Sequence, residues 1–298
     1  MHRRSFLQNA TLTFGALSTG HQNFFRMFVE DPWKITMLAD NIGIFTERGG
    51  TIAFQFSKEG ITVIDAQFPD TAAHLIDELK KRNDQPVRLL INTHHHGDHT
   101  SGNIAFKDIV TRVLAHENSL VNQKNSAAAQ KTEDKQLYPN QTFGTVWSEK
   151  TGKEKITLHY FGAAHTNGDG MIHLEHANIV HMGDLVFNRR HPFVDRSAGA
   201  NIQSWMKVLD TAMKKFSNQT KFIYGHAEKG YEVTGTKEDL RAFHDYLGNL
   251  VKFVGDEMKS GKTKDEILKA TEIPGSPEWK GDGIQRPLQA AFEELSLS

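Results

Sequence analysis

The sequence predicts an α/β protein in which β-sheets are covered by helices, and three observations carry that prediction. Short β-branched and apolar runs, separated by turn residues, follow Trp33. Segments with helical apolar spacing are interleaved among later strand-like runs. Successive hairpin strands with interspersed helices point to helix-covered sheets rather than to an all-parallel sheet.

Taken in order, Trp33–Leu38, Ile42–Thr46, Thr51–Phe56 and Ile61–Ile64 read as strands, with Gly49-Gly50 and Lys58-Glu59-Gly60 as turns. Asp70 and Thr71 are the expected caps of a helix whose apolar face is Ala72, Leu75, Ile76 and Leu79. Val87–Ile91 follows as a buried strand. Lys155–Phe161, Met171–Leu174, Ile179–Met182 and Lys221–Tyr224 are further predicted strands, and Ile202–Phe216 a helix. Asp239–Met258, Thr263–Ala270 and Leu288–Leu295 complete a mostly helical tail. The polar stretch Asn118–Asn140 is expected to hold a helix and a mobile loop, placed to cover a site.

Composition narrows the function. The formal net charge is -1 and no long basic run occurs, which argues against nucleic acid as a partner. There is no cysteine, so no disulfide, thiolate metal site or cysteine nucleophile exists. Any metal must be held by nitrogen and oxygen. A membrane span needs about 20 consecutive apolar residues, and no segment supplies them; no stable membrane anchor is expected.

Arg3 and Arg4, followed by Ser5-Phe6-Leu7 and the mildly apolar Ala10–Leu17, resemble a twin-arginine export signal. Residues 1–20 are therefore expected to be an export signal and the protein periplasmic; without that signal it would be cytoplasmic.

The most informative segment is Asn92-Thr93-His94-His95-His96-Gly97-Asp98-His99-Thr100, directly after the buried strand. In extended chain alternate side chains share a face, so His94 and His96 point together and His95 points away. Gly97 permits a sharp turn, after which Asp98 and His99 approach from a second direction. Imidazole and carboxylate suit zinc, and also iron or manganese. Three later segments share one grammar, a strand and then small residues before a ligand-type side chain: Gly162-Ala163-Ala164-His165, Gly183-Asp184 and Gly225-His226. Asp65 and Asp169 are placed either to accept the second ring N–H of a ligand histidine or to serve as turn or cap residues, with the histidine role favoured for Asp65. His159, His173, His176 and His181, on or beside strands, are expected to be structural or solvent-facing rather than ligands. His191, Arg189 and Arg190 are open to either a structural or a substrate-facing role.

These segments, in this order, resemble the metallo-β-lactamase fold superfamily, and the resemblance spans about Trp33 to Lys229. It implies a four-layer αββα sandwich over residues 30–234, with residues 235–298 as a helical C-terminal extension packed on the same domain. Carried over position by position, it implies one metal on His94, His96 and His165, a second on Asp98, His99 and His226, and Asp184 between them. The implied cofactor is two zinc ions per chain. The implied activity is hydrolysis of an ester, lactone, thioester or amide of a small-molecule substrate by a metal-bridging hydroxide, which Asp98 would help to orient. Alternatives are a β-lactamase proper and a mononuclear-iron enzyme like the persulfide dioxygenases. In the lactamase branches the position of Asp184 carries Cys or Ser, whereas Asp there resembles thioesterases and lactonases. Nothing in the sequence addresses the oligomeric state.

Overall fold

The computed structural model describes residues 33–297. The expected export signal, residues 1–20, lies outside them. From Ile35 onward the chain forms one compact unit.

The first sheet has seven strands in chain order: β1 (Lys34–Ala39), β2 (Ile42–Thr46), β3 (Ile52–Ser57), β4 (Gly60–Ile64), β5 (Val87–Ile91), β6 (Val110–His116) and β7 (Gln141–Phe143). The β2–β3–β4 hairpins are antiparallel, and β4, β5, β6 and β7 run parallel. Parallel neighbours need crossovers. These are α1 (Pro69–Arg82), the single-turn α2 (Gly97–Thr100) with the following 3-10 turn, and α3 (Glu117–Gln130). The expected cap of α1 shifts by two residues. Phe68 is the N-cap, Asp70 sits in the first turn, and the Thr71 hydroxyl reaches back to the Phe68 N–H.

The second sheet has six strands, in the order β15-β13-β11-β10-β9-β8, from β8 (Val146–Thr151), β9 (Glu154–His159), β10 (Met171–Leu174), β11 (Ile179–His181), β13 (Lys221–Ile223) and β15 (Thr234–Gly235). A separate parallel pair joins β12 (Phe187–Asn188) to β14 (His226–Ala227). Helix α4 (Ile202–Lys215) precedes β13, and α5 (Lys237–Lys259), α6 (Lys264–Ile267) and α7 (Gln285–Leu295) follow β15.

Side-chain alternation explains the layering. Leu89 and Ile91 of β5 point into the space between the sheets, where they meet Ile156, Leu158, Ile172 and Ile223. The other face of the second sheet presents Met171, Val180 and Phe222 to Trp205 and Leu209 of α4, Phe243 and Tyr246 of α5, and Leu288 of α7. The result is a four-layer αββα sandwich whose C-terminal helices share one core with the second sheet.

Six of the described strands were not read from the sequence: the two-residue β12, β14 and β15, and β6, β7 and β8. β8 alternates exposed and half-covered residues because it is an edge strand. β6 is buried only over its second half, and β7 has three residues. No described helix is long and apolar enough to cross a membrane.

Candidate metal centre

Six of the seven candidate ligands sit on loops or turns that follow a strand, and His226 opens the short strand β14. β5 ends at Ile91, and Asn92 then pairs with the Asn103 side chain through two hydrogen bonds of 3.0 and 2.8 Å, bracing the loop. His96 caps α2, whose one turn brings the His99 ring to 4.3 Å from that of His94 and carries Asp98 beside His226. The 3-10 turn after β11 delivers Asp184. The β12–β14 pair sets Phe187 against His226, with their rings stacked 5.6 Å apart.

Two glycines make the approach feasible. Gly183 has φ +52°, and a Cβ there would lie 2.7 Å from Thr93. A Cβ on Gly225 would lie 1.9 Å from Asp184 Oδ1. Only residues without a side chain fit so close to the cluster.

Two sets of donor atoms converge. In the first, His96 Nδ1 lies 3.0 Å from His94 Nε2 and 2.9 Å from His165 Nε2. In the second, His226 Nε2 lies 3.0 Å from Asp98 Oδ2, and His99 Nε2 lies 3.8 Å from the same oxygen. Asp184 stands between them, with Oδ1 3.1 Å from His99 Nε2 and Oδ2 3.5 Å from His226, 3.6 Å from His165 and 3.9 Å from His94. The structure thus brings together all seven residues singled out as ligands.

The donor set fits cations. Tetrahedral zinc with Zn–N bonds of roughly 2.0–2.1 Å implies N···N spacings of about 3.3 Å, close to those of the three converging rings. His165 Nδ1 donates to the Phe193 carbonyl and His96 Nε2 to Asp195, so in the neutral rings His165 Nε2 and His96 Nδ1 meet at 2.9 Å as two lone pairs, an arrangement that suits a cation. His99 Nε2 and Asp184 Oδ1 are buried and make no well-formed hydrogen bond. Asp65, Asp98, Asp184 and Asp195 are paired with histidines, and no Lys or Arg among the described residues bridges to any of them. Desolvated carboxylates need compensating charge.

The electrostatics match. Burial opposes ionisation of Asp98, but the charge of His99 and the hydrogen bond from His226 hold its carboxyl down at about 2. Burial likewise works against Asp184, and His226, His99 and His94 outweigh it, holding its pKa well below the carboxylate range. Burial lowers His99, yet Asp184, Asp65 and Asp98 together raise it well above 6.5. Burial, helped by His96 and His99, brings His165 down to about 3 against the raising effects of Asp184 and the Phe193 carbonyl.

Asp65 accepts from His99 Nδ1 at 2.7 Å and from the Thr93 backbone N–H at 2.8 Å. Asp169 does not reach a histidine. It accepts from the Thr166 N–H and hydroxyl, both at 2.7 Å, because a backbone donor three residues upstream competes successfully for a short acidic side chain. Its burial lifts its carboxyl to about 7, against the lowering effect of the Thr166 hydrogen bonds. His95 lies outside the two donor sets; it is buried, its ring 4.4 Å from that of His96 and its Nε2 3.5 Å from Asp195 Oδ2. His191 and Arg189 serve structure: His191 Nδ1 meets the Tyr246 hydroxyl at 2.9 Å, and Arg189 pairs with Asp239 and Glu278. Arg190 is exposed. His181 is locked between the Thr51 carbonyl and the Gly183 N–H, and His176 is exposed.

Two contributions were invisible in the sequence. The Phe193 carbonyl accepts from His165 Nδ1 at 2.8 Å, and Asp195 Oδ2 accepts from His96 Nε2 at 2.9 Å. Both lie on an irregular loop with no strand or glycine signal beside it.

Comparison with known proteins agrees with this architecture. The chain is 24% identical over 207 residues to metallo-beta-lactamase IND-1 of Chryseobacterium indologenes, covering 67% of this chain and 82% of that protein. It is 24% identical over 209 residues to the type 2 metallo-beta-lactamase of Bacillus cereus, covering 66% and 77%. A metallo-beta-lactamase structure from Pontibacter korlensis superposes with a TM-score of 0.61 at 20% identity, covering 73% of this chain and 99% of that one. The sec-alkylsulfatase Pisa1 from Pseudomonas sp. superposes with a TM-score of 0.69 at 15% identity, covering 87% of this chain and 49% of that one. At such identities the structural likenesses establish the fold alone. The family model described as the metallo-beta-lactamase superfamily matches residues 47–226, more than half of the chain and the whole span from His94 to His226, and the chain therefore belongs to that superfamily of hydrolases.

Proposed function

We propose that the chain is a dizinc hydrolase that cleaves an ester, lactone, thioester or amide carbonyl of a small molecule. The observation that carries this reading is the position of Asp184, whose two oxygens face both donor sets at 3.1–3.9 Å. His94, His96 and His165 would hold one ion, Asp98, His99 and His226 the other, with Asp184 shared. When bound, a pair of zinc ions supplies Lewis acidity toward the carbonyl and a water with a pKa near 7. The chain's own groups do the rest. Asp65 fixes His99, and the Phe193 carbonyl fixes His165. The Asp98 side chain, 31% exposed against 5% for Asp184, faces the open side of the cluster and is placed to orient an attacking water.

A second reading, β-lactamase proper, is favoured by the relatives that carry that name. Asp184 weighs against it. A carboxylate shared between two ions occupies a coordination position on each, and a departing β-lactam nitrogen needs an open one. The test is kcat/KM for lactone, thioester, ester and β-lactam substrates with the metals held constant. A β-lactam best by tenfold or more, about 1.4 kcal/mol of transition-state preference, would overturn the preference argued from Asp184. Elemental analysis belongs to the same experiment. Two zinc ions per chain support the hydrolase; a single iron with activity intact supports the mononuclear redox alternative. We further propose export through Arg3 and Arg4, checked by mass spectrometry of protein from the native cell; an intact N-terminus on cytoplasmic protein overturns it.

A further inference from the structure

The loop between β12 and α4 approaches the histidine cluster at residues 193–195. Asp195 Oδ2 accepts from His96 Nε2 at 2.9 Å and stands 3.5 Å from His95 Nε2. Its other oxygen accepts from the Ala198 N–H at 3.1 Å and from the Ser197 hydroxyl. The backbone N–H of Asp195 donates to the His165 carbonyl at 3.2 Å, and the Phe193 carbonyl two residues earlier accepts from His165 Nδ1. One tripeptide therefore touches two of the three rings that converge at the first donor set.

The chemistry of imidazole gives this contact a consequence. A neutral ring has one N–H and one lone pair, and the partner of the N–H decides which nitrogen is free to bind a metal. Asp195 keeps the proton of His96 on Nε2. Nδ1 then faces His94 and His165 with its lone pair. No other carboxylate is within 4.0 Å of His96 among the described residues. The C-terminal helices hold the loop at both ends. Tyr246 of α5 meets His191, and Glu294 of α7 pairs with Arg196 at 3.1 Å while accepting from the Ile202 N–H at 2.8 Å.

We propose that Asp195 is a positioning residue of the metal centre, holding His96 with Nδ1 forward so that His94, His96 and His165 form one ligand set. The inference rests on the reading of this cluster as a metal site, and the experiment separates the two.

Zinc affinity is measured on the full chain by competition with a chromophoric chelator, and the cobalt-substituted protein is examined by visible absorption. Loss of a carboxylate that orients a ligand histidine typically costs ten- to a hundredfold in metal affinity. Asp195→Ala should weaken one of two ions by about that factor and alter the cobalt spectrum. Asp195→Asn, nearly isosteric, retains a weaker neutral acceptor and should fall between wild type and Asp195→Ala even if the alanine variant folds poorly. Ser197→Ala removes a contact on the other carboxylate oxygen only, and should leave affinity and spectrum unchanged.

Wild-type affinity and spectrum in both Asp195 variants would overturn the proposal. So would an equal loss in Ser197→Ala, which would make Asp195 a turn cap. Three ions in wild type and two in Asp195→Ala would make Asp195 a ligand instead, with His95 and His96, and would also overturn it. If the wild type bound no zinc under the same competition, the metal reading itself would fail and the positioning role with it.

Discussion

Asp65 hydrogen-bonds His99 at 2.7 Å from a backbone held in the left-handed region, with φ +65°. Aspartate tolerates that conformation better than most residues, and such strain persists where surrounding contacts over-determine it. Here those contacts are the Thr93 N–H, the Thr93 hydroxyl and the His99 ring. Asp65→Ala should weaken zinc binding by about ten- to a hundredfold. It should also destabilise the metal-free protein by roughly 1–3 kcal/mol, because the buried Thr93 N–H loses its acceptor. Chelator competition and urea unfolding measure the two effects; a variant unchanged in both would show that Asp65 orients nothing.

Asp98→Ala removes a member of the second donor set and the cluster's most exposed carboxylate at once. Turnover should fall by at least about a hundredfold, the scale of losing an electrostatic or acid–base contribution. His176→Ala, exposed and remote from the cluster, should keep wild-type rates. Similar small effects from both substitutions would place the reaction elsewhere.

Gly225→Ala tests the close packing behind the centre. The new methyl would sit 1.9 Å from Asp184 Oδ1 and 3.1 Å from His99 Cε1. Asp184 must move, so metal content and activity should be lost together while far-ultraviolet circular dichroism is preserved. Full zinc occupancy in this variant would contradict the packing described.

His159 offers a pH dependence away from the metal cluster. It lies beneath Phe161 and Phe216, and its Nε2 has no partner. Burial lowers its pKa to about 4, helped by Lys215, His173 and Lys155 and opposed by Glu175. Between pH 6.5 and about 4 the unfolded chain takes up a proton here that the folded chain refuses, so stability falls as pH falls across that window. His159→Phe should flatten this part of the stability curve relative to wild type. Parallel curves for the two proteins from pH 7 to about 4 would rule the contribution out.

How much of this was legible depended on distance along the chain. His94, His96, Asp98 and His99 share one loop, so their convergence follows from strand alternation and one turn. His165, Asp184 and His226 were marked by small residues after strands, because backbone must come close to the cluster there. Local spacing left Asp169 open between a ring acceptor and a turn residue, and a nearby backbone donor decided it; at His95 it gave no sign that the ring, 4.4 Å from that of His96, would meet Asp195 on a loop that no local rule places. Asp195 is 99 residues from His96, on an irregular segment held by Tyr246 and Glu294. The C-terminal helices, packed on the second sheet, brace that loop beside the histidines. The sequence by itself determined the ligand chemistry and the presence of helix-covered sheets, since both are written in residue type and short-range period, and the four-layer αββα order followed from the family resemblance of its motifs. Tertiary structure alone decided which carboxylate orients which ring, because a hydrogen bond of about 3 Å depends on the packing of segments far apart in the chain.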